Sequence, residues 1–183
     1  MSPIGASHGR ADGIAIRLFD ANEAETYRRF RIAAISAEPD AFTTTADEAA
    51  GLPLDWYRTR IAEGVVGAFN GPTLIGTARL DTSGDASTAW IRGLAVEPRW
   101  RGAGIGRRLV AMVLAEARSR PGIDQVRLSF TAGNGAAERL YATLGFERLG
   151  SELRTTSSGE SRNKVLMRLR LDRSSACPPQ SRL

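Results

Sequence analysis

The chain has 183 residues, 42% hydrophobic and 25% charged, enough for one domain with its own core and short for two. It holds no apolar run near the ~20 residues of a membrane helix and no signal-peptide core; its single cysteine, Cys177, excludes an internal disulfide, and its single histidine, His8, excludes Ser-His and Cys-His hydrolase chemistry. A net charge of +5 raises the question of nucleic acid, but the arginines are spread along the chain without interleaved aromatics, so solvated surface is the expectation and the cytoplasm the expected compartment.

Residues 1–12 and 172–183 are rich in Gly, Ser and Pro and are expected to be disordered, leaving a single domain at 13–171. IAIRLF at 14–19 alternates as a strand. Asp20 then caps a helix that Pro39 stops, and LPLDWYRTRIAEG at 52–64 predicts a second helix ending at Gly64. VVGAF, the Asn70-Gly71 turn and PTLIGTARLD predict a hairpin. Residues 86–98 predict a strand with a bulge at Gly93.

Ile105, Leu109, Met112, Val113 and Ala117 form one apolar stripe, which predicts a core-facing helix ending before Pro121-Gly122. IDQVRLSF at 123–130 predicts a strand, and Ala137, Leu140, Tyr141 and Leu144 a short helix stopped by Gly145. Two last strands, about 146–154 and 163–170, flank the polar loop TTSSGESRN. The order β-α-α-β-β-β-α-β-α-β-β implies an α/β or α+β sheet with helices on its faces.

EPRWRGAGIGRRL, 97–109, places glycines at 102, 104 and 106 among Arg99, Arg101, Arg107 and Arg108. Strand, glycine turn and helix in that order leave backbone N–H groups exposed at a positive helix end, the arrangement that binds phosphate. Arg107 stands where a dinucleotide fingerprint needs its last glycine, and the P-loop's Gly-Lys-Ser/Thr ending is absent. Arginines in a first helical turn oppose the helix dipole, a cost that a bound polyanion offsets.

LAVEPRWRGAGIGRRL resembles the acetyl-CoA signature of the GCN5-related N-acetyltransferases (GNAT), whose pattern R/Q-x-x-G-x-G/A matches Arg101, Gly104 and Gly106. NGAAERLYATLGF, 134–146, resembles the family's N-x-x-A-x-x-L-Y-x-x-L-G-F segment. The resemblance spans about 14–170 and implies a mixed sheet of about seven strands, splayed between the strands at 86–96 and 123–130, with helices on both faces. It also implies acetyl-CoA as acetyl donor, no metal, and a primary amine of a small molecule, peptide or protein as acceptor, with the chain a monomer or homodimer.

By that resemblance Leu94 and Val96 lend backbone groups to the pantetheine arm, and the backbone N–H groups of Arg101, Gly102, Ala103, Gly104, Ile105, Gly106 and Arg107 hold the pyrophosphate. Asn134 touches the pantetheine arm, and Tyr141 lies beside the thioester sulfur as general acid. The stretch RIAAISAEPDAFTTTADEA, with the 155–163 loop, lines the acceptor side. Many members carry a glutamate on the strand at 86–96; here that strand has no carboxylate, so the base is unassigned, with Asp81, Glu38 and Asp40 the acidic candidates. The missing glutamate also admits a non-catalytic acyl-CoA-binding module, and the charge a nucleic-acid binder.

Overall fold

The structure, a computed structural model, describes residues 13–156 and 159–172. His8, Cys177 and nearly all of the expected disordered ends lie outside them. Seven strands form one sheet: β1 Ile14–Leu18, β2 Val65–Asn70, β3 Thr73–Asp81, β4 Thr88–Val96, β5 Gln125–Thr131, β6 Glu147–Thr155 and β7 Ser161–Arg170. Their spatial order is β1-β2-β3-β4-β5-β7-β6, antiparallel except where β4 meets β5.

The helices are α1 Ala24–Ala37, α2 Ala46–Gly51, α3 Leu54–Gly64, α4 Ile105–Ser119 and α5 Gly135–Thr143. They cover both faces. Tyr27 of α1 and Tyr57 and Ile61 of α3 pack with Phe19, Val65, Phe69 and Leu74 in one core cluster. Leu109, Val110 and Val113 of α4 and Tyr141 of α5 pack in the other, with Leu80, Ile91, Val126 and Val165. Adjacent Val65 and Val66 fall in different clusters because successive side chains of a strand point to opposite faces.

Three local readings differ from the sequence expectation. The stripe of α4 is rotated: Val110 and Leu114 are buried while Met112 is only half-buried, because a broad sheet covers a wider apolar arc than one row of residues. The short helix α2 was missed, although Thr45 and Glu48 spell its capping box: Glu48 N–H donates to Thr45 Oγ1 at 3.2 Å and Thr45 N–H to Glu48 Oε2 at 2.8 Å. The β6–β7 hairpin also pairs out to Thr155 and Ser161, which shortens the expected loop.

The predicted turn and bulge are both present. Gly71 takes φ +56° in the turn between β2 and β3. Between the pairs Thr77–Ala95 and Arg79–Arg92, β3 advances two residues and β4 three, so β4 carries an extra residue. Gly93 absorbs it with φ +61°, and Thr77 Oγ1 donates to the Gly93 carbonyl at 3.3 Å.

Candidate active site

The site begins with two neighbouring strands that part. β4 and β5 pair only from Thr88 to Trp90 against Gln125 to Arg127. Beyond that point β5 stays bonded along its whole length to β7, while β4 follows β3 through the bulge, so a wedge opens between Ile91–Val96 and Leu128–Thr131. Glu97 N–H donates to Ile75 O on β3 at 2.9 Å, and strand alternation then turns the backbone groups of Leu94 and Val96 away from β3, into the wedge. Arg101 Nε donates to the Val96 carbonyl at 3.0 Å, which leaves the Val96 N–H as that residue's free wedge group.

At the foot of the wedge lies the glycine loop. Gly102 and Gly104 take φ of +78° and +76°, and a Cβ at either would meet no atom within 4 Å, so the loop's outer face is bare backbone. Gly104 is the N-cap of α4 and no side chain caps that helix; the first turn's bond runs from Arg108 N–H to Gly104 O at 3.1 Å. The N–H groups of Ile105, Gly106 and Arg107 precede the first intrahelical bond and stand at the positive helix end beside the open loop, an arrangement that fits a pyrophosphate. Within the expected set, the Arg101 N–H is held by Pro98 O at 3.2 Å, which leaves the N–H groups of Gly102 to Arg107 as candidates to meet an anion.

The four arginines have separate tasks. Arg99 pairs with Glu97 at 2.9 Å, Arg101 with Glu38 at 2.6 Å, and Arg108 Nη2 donates to Ile14 O at 2.7 Å, tying α4 to β1. Arg107 is exposed and has no ion pair or hydrogen bond among the described residues, so its charge is available to an anion.

Asn134 is the N-cap of α5 and Tyr141 lies within that helix. Asn134 Oδ1 accepts from Ala137 N–H at 3.0 Å as the helix cap, leaving the side-chain NH2 to reach a ligand. The Tyr141 ring is 6% exposed between Phe130 and Phe146, each 5.8 Å away centroid to centroid. Its hydroxyl has no hydrogen-bond partner among the described residues, and burial pushes the phenol well above its ordinary range. Such a phenol stays protonated and is available as a hydrogen-bond donor.

On the opposite face of the sheet, a recess of about 330 Å³ lies between the 35–46 segment and Thr156, Glu160 and Arg162 of the β6–β7 hairpin. These are the segments expected to line the acceptor side. Asp40 sits at its edge, paired with Arg162 at 2.6 Å, while its carbonyl accepts from Thr131 Oγ1 at 2.8 Å and ties this segment to the end of β5.

Residues 26–146 match the model of the acetyltransferase (GNAT) family. The chain belongs to that family. It is 37% identical over 87 residues to the N-alpha-acetyltransferase RimI of Mycobacterium tuberculosis, covering 46% of this chain and 52% of that protein. It is 53% identical over 53 residues to a mycothiol acetyltransferase of Thermobispora bispora, covering 29% and 18%. The chain thus spans about half or less of these relatives' lengths. Its fold superimposes on Salmonella typhimurium yncA, determined with its cofactor acetyl-CoA, with TM-score 0.69 and 23% identity over 91% of this chain and 98% of that one.

For a GNAT chain without a carboxylate on β4, the three acidic candidates are instructive. Glu38 is engaged by Arg101 and Asp40 by Arg162. Burial of Asp81 favours its neutral form, but hydrogen bonds from the Ser83 hydroxyl and N–H and the charge of Arg79 outweigh it and hold the carboxyl at about 2. Asp81 also pairs with Trp90, at the closed end of the wedge. Sequence reasoning passed over Lys164, which is 3% exposed opposite Thr131 and donates to Thr131 Oγ1 at 2.7 Å. Burial lowers its pKa, Arg162 lowers it further and Asp40 opposes the change. Its only sequence signal is a cation at an inward position of an alternating strand.

Proposed function

We propose that the protein is an acetyl-CoA-dependent N-acetyltransferase that modifies a primary amine. The observation that carries this reading is the β4–β5 wedge with the uncapped α4 N-terminus at its foot. Gly102 to Arg107 hold the pyrophosphate through backbone N–H groups, Leu94 and Val96 bind the pantetheine amides, and the Asn134 amide supports that arm from α5. Acetyl-CoA supplies a thioester whose carbonyl carbon takes up an amine as the thiolate departs.

The chain's part in the reaction is to bind, orient and donate. Backbone N–H groups beside the Gly93 bulge stabilise negative charge on the carbonyl oxygen. The Tyr141 hydroxyl donates a hydrogen bond to the leaving sulfur; its raised pKa suits donation better than full proton transfer to a thiolate of pKa ~8.5. An amine of pKa ~10.4 must lose a proton before attack. Since Glu38 and Asp40 are ion-paired and Asp81 is a very weak base, that proton leaves through water in the recess.

The single cysteine supports a reducing, cytoplasmic setting, and among the described residues no helix is long and apolar enough to cross a membrane. The test is acetyl-CoA binding by thermal shift, followed by CoA thiol release across an amine panel. A ligand that binds the native state raises the melting temperature, so no shift at millimolar acetyl-CoA sinks the reading. A shift with no thiol release for any amine favours the second reading, a non-catalytic acyl-CoA-binding module, which the carboxylate-free β4 supports.

A further inference from the structure

Several arginines on and beside the helices that cover the acceptor face are held by their neighbours. Arg28 Nη2 donates to Ala50 O at 2.7 Å, Arg60 pairs with Glu63 at 2.7 Å, and Arg79 reaches both Glu63 and Asp81 at 3.2 Å. Arg31 of α1 differs. It makes no ion pair or hydrogen bond among the described residues; its buried Nε, like those of Arg28 and Arg60, has no partner. Its guanidinium carbon lies 6.0 Å from the Phe42 ring centroid and 5.9 Å from that of Trp56, at the outer limit of a cation–π contact. Arg31 is half-buried, and a partly desolvated cation with no counter-ion gains by binding one.

Its position indicates what that counter-ion is. Arg31 Nη1 lies 3.4 Å from where a Cβ of Gly93 would stand, against the β4 bulge where the wedge opens. Phe42 is at once the aromatic neighbour of Arg31 and a wall of the 330 Å³ recess, so one ring stands between the cation and the space an acceptor would fill. A second cation lies next to the bulge in sequence. Arg92, one residue before the bulge, is 3.5 Å from Asp81, and its pKa is lowered by burial and then, against the pull of Asp81, by the charges of Arg154 and Arg79. Of these two cations beside the bulge, Arg92 is paired with Asp81 and Arg31 has no carboxylate partner among the described residues.

We infer that the acceptor carries a carboxylate within a few bonds of its reacting amine, and that Arg31 binds that carboxylate. The inference rests on the acetyltransferase reading and deepens it. Glycine in place of a side chain at position 93 lets the guanidinium approach the strand beside which the thioester carbonyl is held, so only a short link separates the two ends of the acceptor. An amino acid offers its α-carboxylate at that distance, and a peptide with an N-terminal acidic residue its side chain.

The test is kcat/KM at saturating acetyl-CoA for a series of amino acids, their amides and the corresponding decarboxylated amines, with dipeptides beginning in Asp or Ala as a separate arm. The wild-type protein is expected to favour the carboxylate member by roughly tenfold to a hundredfold, the range of a charge-assisted hydrogen bond. Arg31→Gln should abolish that preference, mostly through KM, and Arg31→Lys should retain part of it. If the preference lies in the amino-acid arm the α-carboxylate is the ligand; if only Asp-initiated dipeptides show it, the side chain is. Equal rates with and without the carboxylate, a preference that survives in Arg31→Gln, or no turnover of any carboxylate member overturns the inference. The acetyl-CoA thermal shift, measured on every variant, separates this from failure of the acetyltransferase reading, which would remove the shift from the wild type, and shows that each variant is folded. Should Arg31→Gln not fold, the wild-type series and Arg31→Lys decide.

Discussion

Arg101 Nη1 donates to Glu38 Oε1 at 2.6 Å across 63 positions of sequence, joining the loop that precedes α4 to the end of α1. The same guanidinium donates through Nε to Val96 O, so one side chain links the phosphate cradle, the wedge strand and the acceptor-side segment. Both members of the ion pair are about half exposed, at 47% and 46%, and such pairs contribute about 0–1 kcal/mol. Glu38→Gln should therefore change stability in denaturant by less than ~1 kcal/mol. Turnover should fall by less than about tenfold, since the carboxylate holds an arginine rather than accepting a proton. A much larger loss in a folded variant would identify Glu38 as the base.

Tyr141→Phe removes a hydroxyl without breaking any hydrogen bond among the described residues, and it keeps the ring between Phe130 and Phe146. The melting temperature and acetyl-CoA affinity should hardly move. The rate of the chemical step should drop roughly tenfold to a hundredfold, at the low end of general-acid effects. Single-turnover kinetics with a good acceptor checks this, and an unchanged rate makes Tyr141 a core residue only.

Asp81 ties stability to acid pH. Its folded pKa, about 2, lies below the ordinary 3.8, so its contribution is fully present above pH ~4 and lost as pH falls from about 4 to 2. The shift is worth about 2 kcal/mol for this side chain, which is 13% exposed. Asp81→Asn should lower stability by about that much at pH 7 and flatten the profile between pH 4 and 2, as measured by urea unfolding.

Gly104→Val forces a branched side chain into a left-handed conformation, at a cost of roughly 1–2 kcal/mol, while its Cβ meets no atom within 4 Å. The variant should fold with a lowered melting temperature and lose the acetyl-CoA shift, because the new side chain fills the cradle. Gly106 has an ordinary helical φ and a Cβ there would sit 3.5 Å from Leu140, a normal contact. Gly106→Ala should therefore raise stability by up to about 1 kcal/mol.

Arg107→Glu should weaken acetyl-CoA binding, and the deficit relative to wild type should shrink as salt is raised, because an exposed charge acts through screened solvent. Titrations at two ionic strengths check it; equal affinities at both would show that Arg107 faces away from the ligand.

What the chain's own sequence determined is local in cause. Pro39 ending the region of α1, the Asn70-Gly71 turn, the Gly93 bulge and the left-handed glycines before α4 each follow from the conformational limits of a few adjacent residues, and both signature segments could be read there. Tertiary structure decided whatever depends on where distant segments land. The sequence could not show that Arg101 would be spent on Val96 and Glu38, that Arg108 would anchor β1 while Arg107 took no partner among the described residues, or that Asp81 would lie at the closed end of the wedge. Nor could it distinguish Arg31 from the arginines around it. A charge becomes a ligand's partner by having no other, and that is settled by every side chain that folds into reach.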